Sequence, residues 1–205
     1  AGHAFAAYTA YELNLPQELM NPGLESCEIH SMSMEFLTGP YHHYFFGEDT
    51  PKYELAHAED ALFFIPYGCM VDEFQHIVYG NPDLTPEQRN QEWLKLEEKY
   101  RPWVDFDSLP FYSRGAGWQR QLHIYEMPFY YIDYCLAQTV ALQFFAAWLK
   151  DEKDAWKRYL ALVAQGGTKT YAGLVQSADF AVPFEDGSLA PVAKDVADWI
   201  ATHQV

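Results

Sequence analysis

Apolar residues recur at three- and four-residue intervals along most of the chain, and no strand-like alternation persists beyond a few residues. The pattern predicts an all-α protein. Residues 2–14 read as an alanine-rich helix with His3, Ala7, Ala10 and Asn14 on one face, closed by Asn14-Leu15-Pro16. Pro22-Gly23 opens a second helix over about 22–37, which stops near Thr38-Gly39-Pro40. Residues 52–79 form one long helical stretch that Pro66 is expected to kink or split, because proline removes a ladder donor. Gly80-Asn81-Pro82-Asp83 reads as a turn. Thr85-Pro86-Glu87-Gln88 reads as a helix start, with a Thr cap, Pro in the first turn and Gln three after the cap; that helix runs to about Tyr100. Residues 103–128 are less regular, and Ser113-Arg114-Gly115-Ala116-Gly117 is expected to be a flexible loop. Phe129 to Leu149 is a strongly apolar helix, and the next runs from Asp151 to Gln165 with Gly166-Gly167 as its stop. A short helix and a loop over 168–187 precede a last helix capped by Ser188 or a neighbour. Without repeats or low-complexity linkers, the expectation is one helical unit over 1–205.

Composition narrows the function classes. The 205 residues are 49% hydrophobic and 17% aromatic, so a packed core is expected. With 13 basic against 29 acidic residues the net charge is −16, which argues against a nucleic-acid partner, since phosphate backbones require clustered Lys and Arg. The three cysteines, Cys27, Cys69 and Cys135, are odd in number and widely spaced, with no Cys-x-x-Cys. Reduced, buried thiols in a cytoplasmic protein are expected, not a disulfide framework or a Cys-rich zinc site. The longest apolar run, Tyr134 to Leu149, is broken by Gln138 and Gln143 and reads as a buried helix, so no membrane partner is expected.

The candidate chemistry begins at the first residues. Ala1-Gly2-His3-Ala4 looks like the second half of His-Glu-x-x-His, in which two histidines one helical turn apart bind zinc and the Glu is the general base. With Ala1-Gly2 as the two x residues, His3 is the second histidine, and the first His and the Glu fall immediately before Ala1. Glu28 follows His3 by 25 residues, Glu35 follows Glu28 by seven, and Ser31 lies between them on the same helical face. In this arrangement the chain resembles the oligoendopeptidase F and thimet oligopeptidase family. There a His-Glu-x-Gly-His-Ala helix is followed, at that spacing, by a helix whose Glu is the third zinc ligand and which carries another Glu seven residues on.

The resemblance covers essentially the whole chain. It implies the helical C-terminal portion of a zincin-type oligopeptidase catalytic domain, with one Zn2+ held by the upstream His, His3 and Glu28, and with Glu35 and Ser31 orienting ligands. The segment from Gln121 to Tyr134 resembles the family's substrate-binding segment: a glycine-bearing loop, then His123, then a tyrosine cluster. It implies that His123 and Tyr131 or Tyr134 donate hydrogen bonds to the scissile carbonyl oxygen, where negative charge develops. Tyr131 and Tyr134 share a helical face, and Tyr130 is expected to point elsewhere. The activity implied is zinc-dependent, cytoplasmic endopeptidase action on short peptides. The chain itself, lacking one ligand and the base, is expected to bind zinc weakly and to leave peptides uncut.

Two rival readings remain. A catalytically dead helical interaction fragment would have no His-Glu upstream. Glu54-Leu55-Ala56-His57 and Glu73-Phe74-Gln75-His76 have the Glu-x-x-His spacing of di-iron helical bundles. They lie only 19 residues apart with Pro66 between them, which hardly allows two long antiparallel helices. His42-His43 are expected to sit in a loop.

Overall fold

The computed structural model describes residues 1–205, with eleven α-helices, short 3₁₀ turns and no strand. The helices are α1 (Gly2–Glu12), α2 (Leu24–Leu37), α3 (His43–Phe46), α4 (Thr50–Gly80), α5 (Pro86–Tyr100), α6 (Pro110–Ser113), α7 (His123–Glu126), α8 (Tyr131–Lys150), α9 (Glu152–Val163), α10 (Tyr171–Ser177) and α11 (Ala190–Thr202). The chain divides into two compact units, residues 1–62 with 136–205, and residues 63–135. Both α4 and α8 pass from one unit into the other.

The first unit packs α1, α2 and the second half of α8 with α9 and α10. Its core holds Ile29 and Leu37 of α2, Ala137, Val140 and Phe144 of α8, Tyr159 and Leu162 of α9, and Leu174 and Val175 of α10. Side-chain caps set two of its boundaries. Asp151 Oδ1 accepts from the N–H groups of Lys153 (2.9 Å) and Asp154 (3.1 Å), and Thr170 Oγ1 accepts from Gly173 N–H at 3.3 Å. The second unit is built on Met70, Val71 and Phe74 of α4, Trp93 and Leu96 of α5, and Trp118 and Ile124. The capping box at Thr85 forms as its sequence predicts: Gln88 N–H donates to Thr85 Oγ1 (3.2 Å) and Thr85 N–H to Gln88 Oε1 (2.8 Å).

Several boundaries differ from the sequence expectations. α1 ends at Glu12, and Asn14 lies beyond it at φ 52°, off the face assigned to it. α4 runs unbroken through Pro66 for 31 residues. Proline in a helix interior costs about 3 kcal/mol. Fully buried Ala58 on one side, and Met70, Val71 and Phe74 on the other, supply apolar burial that offsets it. Residues 115–118 are buried, not a flexible loop. Gly115 has φ +78°, and a Cβ there would lie 2.1 Å from the Asn90 carbonyl oxygen, so the loop is pressed onto α5. α8 begins at Tyr131, because Phe129 takes φ 63° and gives its N–H to Gln75 Oε1 (2.7 Å). α11 starts without a side-chain cap, and the Ser188 hydroxyl is buried without a partner. α8 is long and apolar enough to cross a membrane, but 61% of its apolar window is buried inside the protein. Gln143 on it exchanges two hydrogen bonds with Ala181, its Nε2–H donating to the carbonyl (3.0 Å) and its Oε1 accepting from the N–H (2.8 Å).

Candidate active site

Gly2 makes the first half of the site possible. It is buried against α2, and a Cβ at this position would lie 2.0 Å from the His30 carbonyl oxygen. Only glycine permits that backbone approach. The next residue, His3, thereby places its Nε2 3.1 Å from Glu28 Oε2. Two ligands held about 2.0–2.1 Å from a tetrahedral zinc lie about 3.3 Å apart, so one imidazole nitrogen and one carboxylate oxygen stand at the separation such a cation needs. Glu28 Oε2 also accepts from Ser31 Oγ at 2.7 Å, which fixes the carboxylate rotamer. No third His, Cys, Asp or Glu of this chain joins the pair to complete a metal-binding group.

Glu35 lies two turns further along α2. Its Oε2 is 3.4 Å from His57 Nε2, and burial, then the nearby Asp60 and Glu28 charges, raise its pKa above the usual carboxylate value. The His57 ring lies against Phe36 (4.6 Å between centroids) and parallel to Tyr53 (5.7 Å, 5°), and burial lowers its pKa. His42 lies in the turn before α3 and is buried, whereas His43 opens that helix. His42 bridges the Glu54 carboxylate (Nδ1, 3.1 Å) and the Glu35 carbonyl (Nε2, 2.9 Å). Neither Glu-x-x-His pair forms a metal-binding couple of its own. Glu54 is taken by His42 and His57 faces Glu35, while Glu73 holds Lys99 (2.6 Å) and Tyr100 (2.5 Å), and His76 faces Asp72 (3.4 Å).

His30 is a residue the sequence reasoning passed over. It is 2% exposed, neither ring nitrogen has a hydrogen-bond partner, and its pKa is pushed down to about 4 by burial, with His3 adding to the shift and Glu28 opposing it. It stands edge-on to Tyr159, whose hydroxyl donates to the His30 carbonyl (2.9 Å). Ser26, His30 and Ser33 repeat at helical spacing on the buried face of α2. That spacing was the available signal.

The second group of predicted residues lies in the other unit. His123 opens α7, and around it stand Tyr131 (5.0 Å between centroids), Tyr134 (5.6 Å) and Tyr130 (6.4 Å). Tyr130 does not point elsewhere: it meets Tyr134 at 5.1 Å, four residues on, the spacing of neighbours on one helical face. Gln121 gives the cluster its chemical direction. Its Oε1 accepts from Tyr67 OH (2.9 Å), which leaves its Nε2–H to donate to His123 Nδ1 (2.8 Å). A neutral imidazole that accepts at Nδ1 carries its proton on Nε2. His123 is thereby set as an Nε2–H donor. Neither Tyr67 nor Gln121 stood out in the sequence as part of this site.

One unit thus carries an imidazole–carboxylate pair, and the other an imidazole fixed as a donor among tyrosines. The profile of peptidase family M3 matches residues 1–193, and the chain belongs to that family. Three solved structures are similar to it. PZ peptidase A with an inhibitor is 49% identical, with TM-score 0.92, over 98% of this chain and 36% of that one. An oligoendopeptidase F is 49% identical with TM-score 0.92, over 98% and 35%. An oligoendopeptidase F from Bacillus anthracis str. Ames is 41% identical with TM-score 0.82, over 98% and 32%. The chain thus spans about a third of the length of these proteins. No curated protein matches it.

Proposed function

We propose that this chain is the C-terminal, ligand-bearing part of a zinc-dependent endopeptidase that cleaves short peptides in the cytoplasm. The observation that carries the reading is the His3–Glu28 pair, 3.1 Å apart on two helices that meet at Gly2. When bound, zinc supplies Lewis acidity and lowers the pKa of a water to near neutrality. His3 Nε2 and Glu28 Oε2 would hold it together with a histidine immediately upstream of Ala1. Ser31 keeps the Glu28 carboxylate in its rotamer, and Glu35, 3.4 Å from His57, is available to orient a ligand histidine. The Nε2–H of His123 and the hydroxyl of Tyr131 or Tyr134 provide donors for the oxyanion that forms when an amide is attacked. The general base in this reading is the Glu expected beside the upstream His.

The test is a chelator-competition zinc titration. The chain is expected to bind zinc weakly, and His3→Ala or Glu28→Gln to abolish that binding. Placing His-Glu directly before Ala1 should tighten it by roughly 100-fold, the scale on which the contacts of a metal site act. Equal affinity in the parent and His3→Ala chains would sink the zinc reading.

A further inference from the structure

Three dispersed cysteines were expected to be reduced and buried, and the fold brings two of them together inside the second unit. Ile65, Gly68, Cys69 and Asp72 share one face of α4, at positions i, i+3, i+4 and i+7. Cys135, on α8, packs onto that face. A Cβ on Gly68 would lie 2.1 Å from Cys135 Sγ, so the absence of a side chain there admits the thiol. Cys135 Sγ lies 3.7 Å from the Ile65 carbonyl oxygen, the one that helix geometry directs at the Cys69 N–H, so the Cys135 thiol stands beside Cys69. Exposure differs between them. Cys135 is buried at 3%, while Cys69 is partly open to solvent.

We propose that Cys69 and Cys135 form a peroxide-reactive dithiol, with Cys69 the attacking sulfur and Cys135 the resolving one. The Cys69 thiolate attacks one oxygen of hydrogen peroxide; the O–O bond breaks, hydroxide leaves, and Cys69 becomes a sulfenic acid. The Cys135 sulfur then attacks the Cys69 sulfur. The S–O bond breaks and the Cys135 proton leaves with the departing hydroxide as water. The two thiols lose two electrons, and peroxide becomes two waters. Electrostatics favours this division of roles. The neighbouring Cys135 thiol lowers the Cys69 pKa against burial and the Asp72 charge, and the nearby Cys69 together with burial pushes the Cys135 pKa up. Disulfide closure requires the Cβ atoms to come to about 3.8 Å, which draws α8 onto α4 at the residue after Tyr134. Oxidation therefore also disturbs the His123–tyrosine cluster; that consequence, unlike the dithiol itself, rests on the peptidase reading.

The test is peroxide treatment of the intact 205-residue chain, alkylation of remaining thiols, and mass spectrometry. The expected result is a loss of about 2 Da and a Cys69–Cys135 cross-linked peptide, both reversed by dithiothreitol, with Cys27 still alkylated. Cys135→Ser should stall as a dimedone-trapped sulfenic acid at Cys69, and Cys69→Ser should lose no mass. Progression of Cys69 to sulfinic acid without a cross-link in the parent chain, or pairing through Cys27, would overturn the proposal. None of these readouts depends on zinc or on peptide cleavage, so a failed peptidase reading leaves them intact.

Discussion

Two histidines, one in each unit, show how differently this protein uses the same side chain. His30 is sealed in the first unit with no partner on either nitrogen, and burial holds it neutral. His123, in the second unit, is half-buried and held at Nδ1 by Gln121, itself fixed by Tyr67. One histidine fills space beside the His3–Glu28 pair, and the other is aimed. The difference teaches that burial alone does not mark a functional histidine; a hydrogen bond that sets the tautomer does. His3 belongs with the aimed kind, since its Nε2 faces a carboxylate that Ser31 holds in place.

The largest expected effect breaks the first unit's half of the comparison. Gly2→Ala sets a methyl against the His30 carbonyl, where nothing flexible can give way. α1 must move off α2, and the His3–Glu28 pair separates. Zinc binding by the chain carrying His-Glu upstream should be lost, with a stability cost of about 1–3 kcal/mol, the usual scale of overpacking. Thermal unfolding and chelator competition measure the two effects; tight zinc binding in the variant would show that α1 does not need the glycine.

A second effect concerns His30 in the metal-free chain. Burial lowers its pKa to about 4 in the folded chain from the ordinary histidine value of about 6.5, so the unfolded state binds more protons between those pH values. Stability is complete above about pH 6.5 and is lost as pH falls toward 4, by on the order of 3 kcal/mol, since each pKa unit is worth about 1.4 kcal/mol. Urea midpoints should therefore drop across this window in the parent chain and drop less in His30→Leu. Equal slopes would mean that His30 is hydrated in solution.

The smallest effect sharpens the second unit's half. Gln121→Glu replaces the Nε2–H donor with a carboxylate, which requires a proton on His123 Nδ1. A neutral His123 then loses the Nε2 proton that it would donate. In the complete peptidase, kcat should fall by about 10- to 100-fold with KM little changed, somewhat less than removal of an oxyanion donor outright. Gln121→Ala should fall between the two enzymes. A fall in Gln121→Glu confined to KM would assign His123 to peptide binding instead.

What could be read in advance follows from the range of the interactions. The capping box at Thr85, the cap at Asp151 and the breaks at Gly23 and Thr38 are local chemistry, and the structure places them as the residues predict. The spacing from His3 to Glu28 was legible because a motif fixes both residues on their helices. Tyr130 was misread because only the three-residue step from Tyr131 to Tyr134 was counted, although Tyr130 and Tyr134, four apart, also meet. Gln121 and Tyr67 were invisible because 54 residues separate them and neither type signals catalysis by itself.

The sequence by itself determined that this is an all-helical chain, because helix periodicity and caps act over a few residues. Only the tertiary structure decided that Pro66 would not break α4, that His57 would face Glu35 rather than a metal with Glu54, that Gln121 would orient His123, and that Cys69 would meet Cys135. Each of those outcomes is set by which helix faces pack together, and burial can outweigh local propensity by several kcal/mol.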